Sequence, residues 1–222
     1  MTSDRAEAIL AEAFANRYRY PANFGGFTAR ASYGPEGGGA VATVAMCGPG
    51  DVEAVPDASD EFEGWEHPID ESLLQELRSL SRLLWSHDYA LGEGRPGKSL
   101  VDDPHPLGAL VVLHDDPHRA TFRVRDGRLT QITRRHGTLL EVARVERWHV
   151  RHDGSVLPAR FVVEFWDDAC AEPLRVDRYW DLFRPIEGEL VPLVRRGEHC
   201  TEAGTITRVL TLRSWHLAST PA

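Results

Sequence analysis

No stretch of this chain approaches the run of about 18 apolar residues that a membrane-spanning helix needs, so no such span is expected. The first residues, Met1-Thr2-Ser3-Asp4-Arg5-Ala6-Glu7, carry neither a basic region nor an apolar core, so no secretory signal is expected either. Cysteine is scarce: Cys47, Cys170 and Cys200 are odd in number and follow no metal-ligand spacing. That argues against a disulfide framework and for a reducing compartment, here the cytoplasm. Lysine occurs once, at Lys98, so 25 − 1 = 24 of the 25 basic side chains are arginine. Several catalytic signatures are missing too. No serine sits in a nucleophile elbow, no P-loop exists and there is no H-E-x-x-H. Gly92-x-Gly94-x-x-Gly97 imitates a dinucleotide fingerprint, but no strand–turn–helix unit surrounds it, and no cofactor is implied.

What is present is a chain of 222 residues, 42% hydrophobic, long enough to bury one sizeable core as a single domain over residues 1–222. The net charge of −9 argues against nonspecific nucleic-acid binding. The charge is unevenly spread. No Lys or Arg occurs from Ala31 to Leu77, where Asp51, Glu53, Asp57, Asp60, Glu61, Glu63, Glu66, Asp70 and Glu71 fall, whereas nine arginines lie between Arg119 and Arg151. The two regions are expected either to neutralise one another or to be solvated, with a basic face for an anionic partner as the alternative.

The segment from Ala120 to Asp167 reads as four antiparallel strands. Asp126-Gly127, His136-Gly137 and Asp153-Gly154 each separate runs of alternating apolar and polar residues, and Asp-Gly suits the positive φ of a two-residue hairpin turn. Three two-residue turns fix the pairing. Because side chains alternate with period two, one face then carries Phe122, Val124, Leu129, Leu140, Val142, Trp148, Phe161, Val163 and Phe165. Gln131, Arg144 and Glu146 are expected on that same face, and Arg123, Arg125 and Arg128 on the opposite one. Charge in a dry core is costly unless paired or wet. Two readings stay open: an Arg144–Glu146 ion pair at the rim or under a helix, or a partly solvated cavity whose polar groups orient a ligand.

Around the meander, helical spacing of Ile9, Leu10, Ala13 and Phe14 behind an Asp4/Glu7 cap predicts a helix to about Asn16. A second helix is expected from Asp70 to about His87, with Leu73, Leu77, Leu80 and Leu84 on one stripe. Strands are expected near Phe27–Tyr33, Ala40–Met46, Val52–Val55 and Leu107–His114. Residues Leu91–Pro106, rich in Gly and Pro, are expected to form a long loop, a possible lid. Beyond the meander, Leu174, Val176, Arg178, Trp180 and Leu182 alternate with Arg175, Asp177, Tyr179 and Asp181, which predicts an apolar face carrying one arginine, Arg178. Two more strands are expected at Leu190–Arg196 and Thr205–Leu217.

Metal and nucleophile patterns carry little. His114 and His118 flank Asp115-Asp116-Pro117 in a polar turn, and His149 and His152 stand at an odd spacing that sends strand side chains to opposite faces. His199 and Cys200 point apart on an extended chain for the same reason.

The stretch Asn16-Arg17-Tyr18 … Asn23-Phe24-x-Gly26-Phe27-Thr28-Ala29 closely resembles the opening of a bacterial family known as domain of unknown function 3386. His136-Gly137 and the closing Leu212-Arg213-Ser214-x-His216-Leu217 are similar to its middle and last strand. That resemblance brings no activity and transfers no catalytic residue. The order helix, strands, helix, then meander also looks like the lipoprotein-carrier (LolA/LolB-like) open half-barrel, which implies helices partly plugging a concave sheet.

The expected fold is α+β: a curved antiparallel sheet of about nine to eleven strands with two helices over its concave face. The expected function is binding of a small apolar or amphipathic molecule between sheet and helices. Gln131, Arg144, Glu146 and Arg178 would orient it, and Trp148, Phe161 and Phe165 would supply contact area. One alternative is a cofactor-independent enzyme with Glu146 as general acid or base and Arg144 stabilising negative charge. Another is an interaction module using the arginine-rich face of Arg123, Arg125 and Arg128.

Overall fold

The computed structural model describes residues 2–35, 39–57, 71–85, 97–169 and 171–218. The expected cap Asp70, the end of the second helix at His87, residues 91–96 and Cys170 lie outside them. Two helices, α1 (Thr2–Ala15) and α2 (Glu71–Leu84), accompany strands β1 (Phe27–Gly34), β2 (Ala40–Gly48), β3 (Asp51–Pro56), β4 (Lys98–Val101), β5 (Ala109–Leu113) and β6 (Thr121–Arg125). Then follow β7 (Arg128–His136), β8 (Leu139–Val150), β9 (Val156–Asp167), β10 (Arg175–Ile186), β11 (Glu189–Thr201) and β12 (Gly204–Leu217). These twelve strands form one antiparallel sheet ordered β3-β2-β1-β12-β11-β10-β9-β8-β7-β6-β5-β4, which is not closed because β3 and β4 are its edges. None of the described helices is long and apolar enough to cross a membrane.

The chain divides into two compact units. The first takes Met1–Tyr18, His87–Trp180 and Glu198–Ile206; the second takes Arg19–Ser86, Asp181–Gly197 and Thr207–Ala222.

In the first unit, the apolar stripe of α1 makes the core. Ala6, Leu10, Ala13 and Phe14 bury against Val111, Leu113, Ala120, Phe122, Val124 and Leu129. Phe14 meets Phe122 edge to face at 6.1 Å. A fully buried Leu or Phe here stabilises by about 1.5–3 kcal/mol. The Asp126-Gly127 turn forms as expected, with positive φ at both residues, and tucks beneath the end of α1. A Cβ on Gly127 would come within 2.6 Å of Asn16 Nδ2. Inside the expected loop 91–106 lies β4, which pairs with β5 and is pinned to α1 by Lys98 Nζ on Glu7 Oε2 at 2.5 Å. Four residues between Gly97 and Asp102-Asp103-Pro104 are too short a run to stand out from such flanks.

The register of the meander departs from three two-residue turns, and the departures reassign faces. Val124 pairs with Leu129 as expected, but Arg123 then pairs with Gln131, so Thr130 is an extra residue in β7. Its hydroxyl engages the carbonyl oxygens of Leu107 and Arg123, a local bond that supports the bulge. The second turn is centred on Gly137-Thr138, since His136 pairs with Leu139. The third is wider: Arg151 N–H donates to Ser155 O, and Asp153 Oδ1 accepts from the Ser155 N–H and hydroxyl. Further irregularities follow between Val145 and Trp148. Each odd slip exchanges the two faces of everything beyond it.

In the second unit, Leu73, Leu77, Leu80 and Leu84 of α2 are buried, as the leucine stripe predicts. Also buried in this unit are Phe27, Ala31 and Tyr33 of β1, Val44 and Met46 of β2, and Leu210 and Leu212 of β12, which the register puts on one face of the sheet. Ser81 fastens α2 to the β2–β3 turn: its hydroxyl donates to Gly48 O and accepts from Gly50 N–H. Tyr20 stacks on Phe24, meets Trp85 edge to face and donates to Leu190 O, so this end of the aromatic junction is packed structure.

Along β10 the expected faces are inverted. Asp177, Tyr179, Asp181 and Phe183 are buried, while Leu174 and Leu182 are 48% and 58% exposed. Buried carboxylates are tolerable because each has an arginine and a hydrogen-bonding partner from β11, as the next section describes.

Candidate functional site

Two rows of paired positions run across the first unit, one on each face of its sheet. The row on the face that packs on α1 reads Phe122, Ile132, Ala143, Val163, Asp177 from β6 to β10. The other reads Arg123, Gln131, Arg144, Val162, Arg178 over the same strands. The apolar row ends on a carboxylate, and the polar row lies on the opposite side.

This arrangement redistributes the sequence-derived site. Gln131, Arg144 and Arg178 do come together, but on the face away from α1. There Gln131 donates to Thr133 Oγ1, Arg144 is 41% exposed and faces Glu164 at 3.8 Å, and Arg178 donates to Cys200 Sγ at 3.2 Å. The expected Arg144–Glu146 pair does not form. Glu146 falls at an irregularity of β8 and pairs instead with Arg160, at 2.7 Å and 34% exposed. Neither group lies in a dry core, because the bulge at Thr130 and the slips beyond Val145 turn them outward. Trp148 sits beyond those slips, opposite Pro158. Phe161 and Phe165 keep to the α1 face. Phe161 stacks on Tyr179 at 4.9 Å, and Phe165 lies beneath the Arg175 guanidinium at 4.0 Å.

The expected nonparticipants behave as their spacing suggests. His199 faces Asp177 whereas Cys200 faces Arg178, so the two side chains diverge. Asp116 Oδ2 accepts from the backbone of His118 and Ala120, making the histidine-flanked segment a capped turn. Among the described residues, no group of three or more His, Cys, Asp or Glu side chains is placed to hold a metal.

Two polar clusters that sequence reasoning missed stand on the buried side of β10. In the first unit, Asp177 Oδ1 contacts His199 Nδ1 at 3.0 Å and its Oδ2 contacts Arg175 Nη2 at 3.1 Å. Tyr179 meets the His199 ring edge on. The Asp177 side chain is buried, yet that of His199 is 25% exposed. In the second unit, Asp181 receives Arg195 Nε at 2.8 Å and Nη2 at 2.7 Å, a bidentate pair in which both side chains are 1% exposed. Arg195 Nη1 also reaches Ser79 Oγ at 2.9 Å and Glu76 Oε2 at 3.4 Å. Burial pushes the Asp181 carboxyl above its ordinary value; the Arg195 charge and hydrogen bonds pull it partway back, and the Glu76 charge adds to the rise. The available signal was the spacing: Asp177 and Asp181 are four apart on one strand, and Arg195 and His199 are four apart on the next.

Residues 1–216 match the family described as protein of unknown function (DUF3386). The chain belongs to that family. The match spans both units, so the DUF3386 region includes the Asp177 and the Asp181 clusters alike. No curated protein and no solved structure matches the chain.

Proposed function

We propose that the protein binds a small, largely apolar molecule on the α1 face of β8–β10, with one polar end at Asp177 and His199. A single contrast carries the reading. Where α1 covers this face, Phe122, Val124 and Leu129 are buried. Farther along, Val145, Phe161, Val163 and Phe165 stay apolar but are only half-buried among the described residues. A mostly apolar surface with a few convergent polar groups is the usual make-up of a small-molecule site. The proposal takes this as the concave, helix-flanked side of an open half-barrel, the shape that the carrier resemblance implies.

The test uses N-phenyl-1-naphthylamine, an uncharged probe that brightens in apolar surroundings. Wild-type protein is expected to bind it saturably, and Val163→Glu to abolish binding while keeping its far-ultraviolet circular dichroism. Unchanged binding by a folded Val163→Glu protein, or no saturable binding by wild type, would overturn the proposal.

Acid–base chemistry at the same place is a second reading, favoured by one observation: the buried Asp177 carboxylate orients the His199 imidazole through Nδ1. In that reading His199, in place of Glu146, is the proton-transferring group, and no cofactor is needed. An interaction module on the arginine-rich face has less behind it, since Arg123 is engaged by Asp103 and Arg125 donates to Pro106 O.

A further inference from the structure

We infer that the molecule held on the β8–β10 face is a zwitterionic amphiphile, with its ammonium group at Glu141, its anionic group at Arg175 and its alkyl chain on the apolar side chains of β9. The inference rests on the binding reading above and adds the chemical class. Its starting point is one row of the register. Arg134 of β7 pairs with Glu141 of β8, Glu141 with Phe165 of β9, and Phe165 with Arg175 of β10. Directly opposed residues share a face, so an acid and a base flank one aromatic ring on the α1 side. Glu141 and Arg175 stand two strand spacings apart, roughly 10 Å at the backbone.

Both charged groups have bonding capacity to spare. The partly exposed Glu141 carboxylate makes no hydrogen bond among the described residues: His136 Nε2 stands at 3.9 Å, beyond hydrogen-bonding reach, and Arg134 lies beside it without forming an ion pair to it. Of the five N–H donors of Arg175, one Nη2 contact to Asp177 is made, and no other acceptor meets the side chain among the described residues. Asp177 thus anchors Arg175, whose guanidinium lies over the Phe165 ring at 4.0 Å with its remaining donors open to a second acceptor. An anion at Arg175 alone leaves the Glu141 charge unanswered, and a cation at Glu141 alone leaves the Arg175 donors idle. A head group that carries both signs answers both. From its anionic end an alkyl chain runs along Val163 and Phe161, which continue the face of β9 that Phe165 begins. An alcohol of the same length makes the apolar contacts and lacks the charge-assisted ones.

The experiment is displacement of N-phenyl-1-naphthylamine by decylphosphocholine, decanoate, decyltrimethylammonium and decanol, each below the concentration at which it forms micelles. Wild type is expected to release the probe at a decylphosphocholine concentration roughly tenfold below that of decanol, equivalent to about 1.4 kcal/mol, and below that of either singly charged compound. Glu141→Gln and Arg175→Gln are each expected to erase most of that advantage. Equal potency of decylphosphocholine and decanol on wild type overturns the zwitterion assignment and leaves the apolar site standing. So does decanoate or decyltrimethylammonium matching decylphosphocholine, or an advantage that survives either substitution. Failure of all four compounds to displace the bound probe overturns both readings of the face. Circular dichroism identifies a variant that has lost the fold; the wild-type series then decides alone, since the inference survives it only if both charges count.

Discussion

Asp177 and Asp181 stand four residues apart on the buried side of one strand, and each is met by a nitrogen-bearing side chain from β11. Their surroundings make them different devices. Asp181 is held by a permanently charged arginine in a bidentate pair, with Glu76 of α2 as a second carboxylate, and all three side chains are dry. Such a cluster locks α2 to the sheet of its own unit, and it has no titratable cation to release. Asp177 faces a histidine that is partly exposed, beside half-buried aromatics. One carboxylate serves architecture; the other borders the face to which we assign binding. A buried acid is therefore informative only together with the side chain that answers it and the wetness of that side chain.

The comparison breaks most forcefully at Arg195. Arg195→Met leaves Asp181 and Glu76 without their cation in a dry site and is expected to cost about 3–5 kcal/mol in urea unfolding. Adding Asp181→Leu and Glu76→Leu to it should recover much of that loss, because no uncompensated charge then remains. A single variant as stable as wild type would mean that the cluster is hydrated.

Proton linkage sharpens the contrast with a smaller effect. The Asp181 carboxyl is held above its ordinary value of 3.8, chiefly by burial. The folded state thus binds this proton more tightly than the unfolded chain. Its contribution is fully present below that value and is lost as pH rises through the raised folded pKa. Relative to Asp181→Asn, which does not titrate there, wild-type stability should fall as pH rises above about 4. A relative stability that climbs over this range would show an ionised Asp181 throughout.

The smallest effect is expected at the pair the sequence places in the core. Glu146→Gln breaks an exposed contact with Arg160 and should change stability by less than about 1 kcal/mol, with probe binding intact. A loss of several kcal/mol at Glu146 would restore it as a buried partner.

Local signals were read well where the chain itself enforces them. The leucine stripe of α2 is helical whatever it packs on, and Asp126-Gly127 reverses the chain because both residues accept positive φ. The α1 stripe and most strands follow for the same reason. Faces beyond the first bulge were not legible. Thr130 looks like any strand threonine, and its bonds to Leu107 O and Arg123 O depend on a strand distant in sequence. One inserted residue there, and others near Glu146, moved Gln131 and Arg144 away from Phe161 and Phe165.

The amino-acid order by itself determined that this would be a helix-flanked antiparallel sheet and which segments would extend, since periodicity and turn chemistry act over a few residues. It also carried the family, through motifs that span nearly the whole chain. Which side of each strand is buried was decided only by the tertiary structure. β10 buries Asp177 and Asp181 and exposes Leu182 where His199 and Arg195 of β11 arrive to bond the two carboxylates, and pairing between strands is not written in either strand alone.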